Sequence, residues 1–192
     1  MFLSDTDIEK AVKAKKIRID NFDIARLQPA SYDILLGNKF IVNSEYQTKI
    51  IDPVNKIYAE TNEINIVDGG EFILHPGHSV LGLSHDFFGS DEYLVQLGGK
   101  SSLARIGLMI HNTAGVINPG HYLNIVLELT NQNTVPIILR PKMPIGQILF
   151  SKLTSRPKRD YKKVGNFAKN NWENFIKDKK VEKKKVVSKK SN

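Results

Sequence analysis

Asn124-Ile125-Val126-Leu127-Glu128-Leu129-Thr130 sets apolar positions at every second residue. A period of two belongs to a β-strand, whose successive side chains point to opposite faces. Ile125, Leu127 and Leu129 therefore share a face and predict the core side, while Asn124, Val126, Glu128 and Thr130 share the other. Glu128 is left as a lone carboxylate on a rigid element, flanked by residues too small or too apolar to neutralise it. The residues alone allow two readings. Glu128 is a solvent-facing sheet glutamate, or it lines a cleft where a strand holds it in place to shuttle protons.

On either side of this strand the chain keeps the same grammar of short apolar runs broken by glycine, proline and asparagine. Further strands are predicted at Ile50–Ile51, Ile64–Val67, Glu71–Leu74, Ser79–Ser84 and Tyr93–Leu97. Others follow at Leu108–His111, Ile137–Leu139 and Ile145–Lys152. Many short strands with frequent turns predict a β-sandwich or jelly roll. Two segments echo each other, Ile73-Leu74-His75-Pro76-Gly77 and Ile138-Leu139-Arg140-Pro141-Lys142, each reading strand, proline turn, strand, the chemistry of a hairpin. Thr113 to Gly120 reads as another hairpin with Asn118-Pro119-Gly120 at its tip. Ahead of the strands, Ser4 with Asp7 three residues on predicts a capped helix, with Ile8, Ala11 and Val12 as its apolar stripe and its end near Lys15–Lys16.

Gly98-Gly99-Lys100-Ser101-Ser102-Leu103-Ala104-Arg105-Ile106-Gly107 follows one predicted strand directly. Two glycines allow close approach of backbone to a ligand, and two cations bracket two hydroxyls. The run suits a turn that meets phosphate, with a short helix behind it. It lacks the Gly-x4-Gly-Lys-Ser/Thr spacing of a Walker loop, and a plain surface turn remains the other reading. Gln28-Pro29-Ala30-Ser31-Tyr32-Asp33-Ile34-Leu35-Leu36-Gly37 leads into a strand at Asn38–Asn43. Its small Ala30 and Ser31 permit tight packing beneath a site, or the segment is a turn with Asp33 as a local cap.

Bulk properties bound the rest. The 192 residues suffice for one domain with tails, and 41% hydrophobic with 25% charged residues is an ordinary globular balance. No signal-peptide pattern or bilayer-length apolar run is present, so a cytoplasmic protein is expected. The chain has no cysteine, which removes disulfides, thiol nucleophiles and the cysteine-held zinc of common nucleobase deaminases. His75-x2-His78 has no matching carboxylate motif, so no metal site is predicted. The net charge of +8 is concentrated: Lys177–Asn192 holds eight lysines against Asp178 and Glu182. That pattern predicts a disordered tail over 176–192, after an arm at 154–175, and argues against a nucleic-acid interface.

Taken together and in order, these segments resemble the dCTP deaminase family within the trimeric dUTPase-like superfamily. The 28–37 segment is similar to its first motif and Lys100–Arg105 to its central one. Thr113-Ala114-Gly115 with Pro119-Gly120 is similar to the third, Val126-Leu127-Glu128 to the catalytic strand, and Pro144-Ile145-Gly146-Gln147 to the next. The resemblance covers about residues 1–165. It implies a mainly β, distorted jelly-roll (β-clip) domain over 1–153 with a few short helices, and homotrimers with sites between subunits. It implies deamination of dCTP without zinc: Glu128 activates the water, with Ser101 and Arg105 orienting water, base and carboxylate. Lys100, Ser102 and Gln147 would face a triphosphate carrying Mg²⁺. Leu103, Ala104, Val126 and Leu127 would line the nucleotide, with Asn118 at the sugar and Tyr161 and Lys169 closing from the arm. dUTP or dTTP would occupy the site as product or inhibitor.

Two departures bear on the product. Asn118 stands where the family usually has an aspartate, and asparagine is a poor base at neutral pH. The arm reads Lys169-Asn170-Asn171-Trp172-Glu173 in place of the usual Lys-Tyr-x-x-Gln. The resemblance therefore implies release of dUTP and ammonia first. Continuation to dUMP and diphosphate, toward which Thr113-Ala114-Gly115 leans, is the alternative, with a nucleotide-binding regulatory protein that has lost turnover as another.

Overall fold

The computed structural model describes residues 1–44, 50–55, 57–159 and 161–165. Its elements in chain order are α1 (Asp5–Lys13), β1 (Ile17–Ile19), β2 (Leu27–Gln28), β3 (Ser31–Asn43), β4 (Thr61–Asn65), β5 (Phe72–Leu74), β6 (Ser79–Ser84), β7 (Phe88–Ser90) and β8 (Tyr93–Gly99). They continue with α2 (Ser101–Ala104), β9 (Leu108–Met109), β10 (Val116–Ile117), β11 (His121–Leu123), β12 (Val126–Asn131), β13 (Ile137–Leu139), β14 (Pro144–Lys152) and α3 (Tyr161–Val164). A curled nine-stranded antiparallel sheet runs β10-β8-β14-β3-β6-β12-β9, with β2 and β4 also on β3. A three-stranded sheet, β1-β7-β11, and the pair β13-β5 complete a jelly-roll-like architecture, as the residue pattern predicts.

The Ser4 cap is present: its side chain accepts from the Asp7 amide at 3.4 Å, and α1 buries Ile8 and Ala11. Such a cap contributes roughly 1 kcal/mol. The helix stops at Lys13, short of the lysines expected to end it. The core face of β12 is as read, with Leu127 and Leu129 fully buried and Ile125 at 6% exposure. Phe40, Phe88, Phe150, Ile148 and Leu139 share that core.

Four local expectations are corrected. Ser31–Asn43 is one thirteen-residue strand, so Asp33 sits within a sheet and not at a turn. Ile50–Ile51 forms no strand; that loop is closed by a lone bridge between Asp52 and Ile57. The Asn118-Pro119-Gly120 turn forms with Gly120 at φ 94°, but its flanking strands part company. β10 pairs with β8 and β11 with β7, so the turn is a corner between sheets. Likewise the two echoing segments are not hairpins: β5 and β13 pair with each other, and the strands after their proline turns join the large sheet. At the Asn118–Gly120 turn and the two proline turns the local chemistry forms a turn as read, and long-range pairing decides the partner strands. Among the described residues no helix is long and apolar enough to cross a membrane.

Candidate functional site

β3, β14 and β8 lie side by side, and their register puts Asp33 opposite Gln147 and Gln147 opposite Gly98. Directly opposed residues share a sheet face, so the first motif, Gln147 and the glycine-rich turn meet in one row. The Lys100 ammonium reaches across β14 to Asp33 Oδ2 at 2.5 Å, and Gln28 Nε2 donates to the same oxygen at 3.4 Å. Ser31 Oγ donates to Gln147 Oε1 at 2.7 Å, and Gln147 Nε2 donates to the Gly99 carbonyl at 3.0 Å. Ser31 and Asp33 are buried, and Asp33 Oδ1 has no hydrogen-bond partner. A side chain added at Gly99 would meet nothing within 4 Å, so bare backbone faces open space there.

Lys100 opens α2 as its N-cap residue. The helix closes on Gly107, at φ 80°, where a Cβ would lie 2.9 Å from the Asn133 amide nitrogen. Only glycine combines that conformation with that approach. Asn133 Nδ2 further donates to the Ile106 carbonyl at 3.0 Å. The turn is thus held at both ends while Ser101, Ser102, Ala104 and Arg105 stay exposed and Leu103 is half-buried.

Glu128 lies on β12 as the alternation places it, half-buried on the face away from Leu127 and Leu129. Leu81 of β6 is directly opposite, and Ile41 of β3 is opposite Leu81. Beyond them on this face is a cavity of about 200 Å³ whose walls include Ile41, Tyr58, Thr61, Ser79 and Leu81. The Asn112 amide donates to Glu128 Oε2 at 2.9 Å, tying the carboxylate to the loop that carries Thr113-Ala114-Gly115. Thr113 has φ 79°, a conformation unusual for a β-branched residue and costing about 1–3 kcal/mol. Gly115 is packed against the Leu97 carbonyl, which a Cβ would approach to 3.0 Å. The loop is therefore strained at one residue and clamped two residues later.

The other expected residues are placed apart from these. Asn118 is exposed on the corner, and its carbonyl accepts from the His121 amide. Tyr161 of α3 meets the His121 ring edge-on at 4.7 Å, bringing the arm to the same corner. Burial pushes the His121 pKa down to about 4. Val126 is half-buried beside Leu83, and Leu127 is in the core. Lys169 and the tail lie outside the described residues. Among the described residues no hydrogen bond or ion pair joins Glu128 to Ser101, Arg105 or Lys100, and no group of three or more His, Asp or Glu is placed to hold a metal ion.

Sequence reasoning missed the contributions of Asp33, Ser31 and Asn112. The first two were within a quoted motif; the signal was their spacing of two on a strand, hidden by reading that segment as a turn. Asn112 acts through its backbone amide, which leaves no trace in residue identity.

A family model described as dCTP deaminase-like matches residues 2–153. A protein of Tropheryma whipplei (strain Twist) named "dCTP deaminase, dUMP-forming" is 43% identical over 162 residues, covering 84% of this chain and 83% of its own length. One of Mycobacterium leprae (strain Br4923) with the same name is 39% identical over 189 residues, covering 93% of this chain and 100% of its own. Among solved structures, the 2'-deoxycytidine 5'-triphosphate deaminase of Agrobacterium tumefaciens superposes with a TM-score of 0.58 at 23% identity, over 79% of this chain and 48% of that one. The chain thus spans about half the length of that structure, and the likeness is one of fold.

Proposed function

This chain belongs to the dCTP deaminase-like family, and from that premise we propose that it deaminates dCTP and carries the product on to dUMP and diphosphate. The names of the 43% and 39% identical relatives support dUMP as the end product over dUTP. The observation that carries the chemistry is Glu128: a half-buried carboxylate on a strand, with Oε2 fixed by the Asn112 amide and Oε1 without a hydrogen-bond partner among the described residues. One oxygen is oriented while the other is free to take a proton.

In this reading Glu128 accepts a proton from water as the water oxygen bonds to the amine-bearing ring carbon. It passes protons to the ring nitrogen and the amine, the carbon–nitrogen bond breaks, and ammonia leaves behind a carbonyl. Ser101 and Arg105 orient water and base. Their exposure, with no tie to Glu128 inside one chain, supports a site completed by a second copy in a homotrimer. Lys100, Ser102 and the bare Gly99 backbone face the triphosphate, which brings Mg²⁺ with it. Leu103, Ala104 and Val126 line the nucleotide, Asn118 takes the sugar hydroxyl, and Tyr161 covers the site.

Asn118 favours a second reading, in which the reaction stops at dUTP because no carboxylate stands there to align a second water. Incubation with dCTP and Mg²⁺, with ammonia measured and nucleotides separated, tests both. Ammonia with dUMP and diphosphate supports the first, and ammonia with accumulating dUTP the second. Nucleotide binding without ammonia overturns both and leaves a regulatory protein.

A further inference from the structure

We propose that Asp33 is a positioning residue that holds the Lys100 ammonium in place for an anionic ligand, a role that rests on the phosphate-facing reading of the Gly98–Arg105 turn. Lysine carries a compact charge on a flexible four-carbon stem, and an unrestrained one loses much rotamer freedom when it binds. Here the stem is tied down before any ligand arrives. Asp33 is 8% exposed, sits inside the thirteen-residue β3 and accepts from Lys100 at 2.5 Å. The ammonium has three donors, of which Asp33 takes one, leaving two for phosphate oxygens.

The neighbouring contacts act on the same turn from beneath. Gln147 grips the Gly99 carbonyl and is itself oriented by Ser31, two residues before Asp33 on the same face of β3. Both backbone and cation of the turn are thereby referenced to one strand. The carboxylate has a competing effect, since a negative charge beside Lys100 weakens the field that an anion meets. The two roles predict opposite signs. If Asp33 chiefly positions Lys100, its neutralisation weakens anion binding; if it chiefly screens Lys100, neutralisation strengthens it. Burial favours positioning: an ammonium deprived of this partner swings out to water, away from the turn.

The test is a double-mutant cycle on the full chain, with inorganic tripolyphosphate as the probe and binding followed by calorimetry at fixed ionic strength. Asp33→Asn is expected to weaken tripolyphosphate about tenfold, the scale of one charge-assisted hydrogen bond. Lys100→Met should weaken it at least as much, and the double variant no further than Lys100→Met alone. With dCTP, Asp33→Asn should raise KM and leave kcat within about twofold. Equal or tighter tripolyphosphate binding by Asp33→Asn overturns the proposal, as do losses that multiply in the double variant, or a wild-type chain that does not bind the probe. Asp33→Glu retains charge and moves it by one methylene; should Asp33→Asn fail to fold, weaker binding by Asp33→Glu supports the proposal and wild-type affinity overturns it. Because the probe carries no base, a chain inert towards dCTP that still shows the cycle refutes the deaminase reading and leaves Asp33 its role.

Discussion

The row Asp33–Gln147–Gly98 and the face around Glu128 belong to the same sheet and are finished to different degrees. The first is tied together within one chain: its ion pair and hydrogen bonds link three strands, and its carboxylate is buried. The second is held more sparsely. Glu128 has one backbone donor and an apolar neighbour in Leu81, while Ser101 at the start of α2 and Arg105 at its end are exposed, with no side-chain hydrogen bond or ion pair among the described residues. In the proposed reading the difference is between a turn that one chain holds rigid for an anion and a carboxylate that waits for Ser101 and Arg105 of a second copy.

The sharpest way to break this contrast is Glu128→Gln. It should lower ammonia release by about a thousandfold while dCTP still binds, because only the proton acceptor is lost. Loss of binding in parallel, seen by calorimetry, would make Glu128 a ligand of the ground state instead. Arg105→Ala should cost roughly a hundredfold in kcat/KM. Coexpressing it with Glu128→Gln should then restore activity well above either parent, since mixed assemblies contain sites with both groups intact. No restoration in the purified mixture would place the two residues in one chain's site.

Smaller effects probe the corner. Asn118→Asp should raise the fraction of product appearing as dUMP several-fold by adding a base; an unchanged ratio in the product separation means this position does not govern the second step. His121, at about 4 against an ordinary 6.5, is neutral in the folded chain and takes up a proton more readily when unfolded. Its contribution to stability is present above pH 6.5 and is lost as pH falls towards 4. His121→Phe should flatten that part of the urea midpoint profile. Smallest, Ser4→Ala should lower stability by about 1 kcal/mol by denaturant titration, with no change in catalysis.

How much of this was legible in the sequence depends on the range of the interaction. The face of Glu128, the Ser4 cap and the exact extents of Ser79–Ser84 and Ile137–Leu139 came from periodicity and local chemistry, which a short window contains. β7 and β11 went unread because Phe88-Gly89-Ser90 and His121-Tyr122-Leu123 hold no continuous apolar run such as marks Ile137–Leu139. Phe88–Gly89–Ser90 forms a strand only since Gly89 lets the β11 backbone lie against it; a Cβ there would sit 1.6 Å from the His121 carbonyl oxygen. The Asp33–Lys100 pair spans 67 residues and was invisible for the same reason.

β3 has a further consequence, for how the chain comes off the ribosome. Its partners include β4 soon after it and β14 far downstream, with Ser31 and Gln147 separated by 116 residues. Until β14 has been synthesised, the Tyr32–Leu35 stretch of this strand's edge stays open to pairing with any extended segment nearby. Closure of so distant a contact is slow, and the waiting interval is when the nascent protein is most exposed to aggregation.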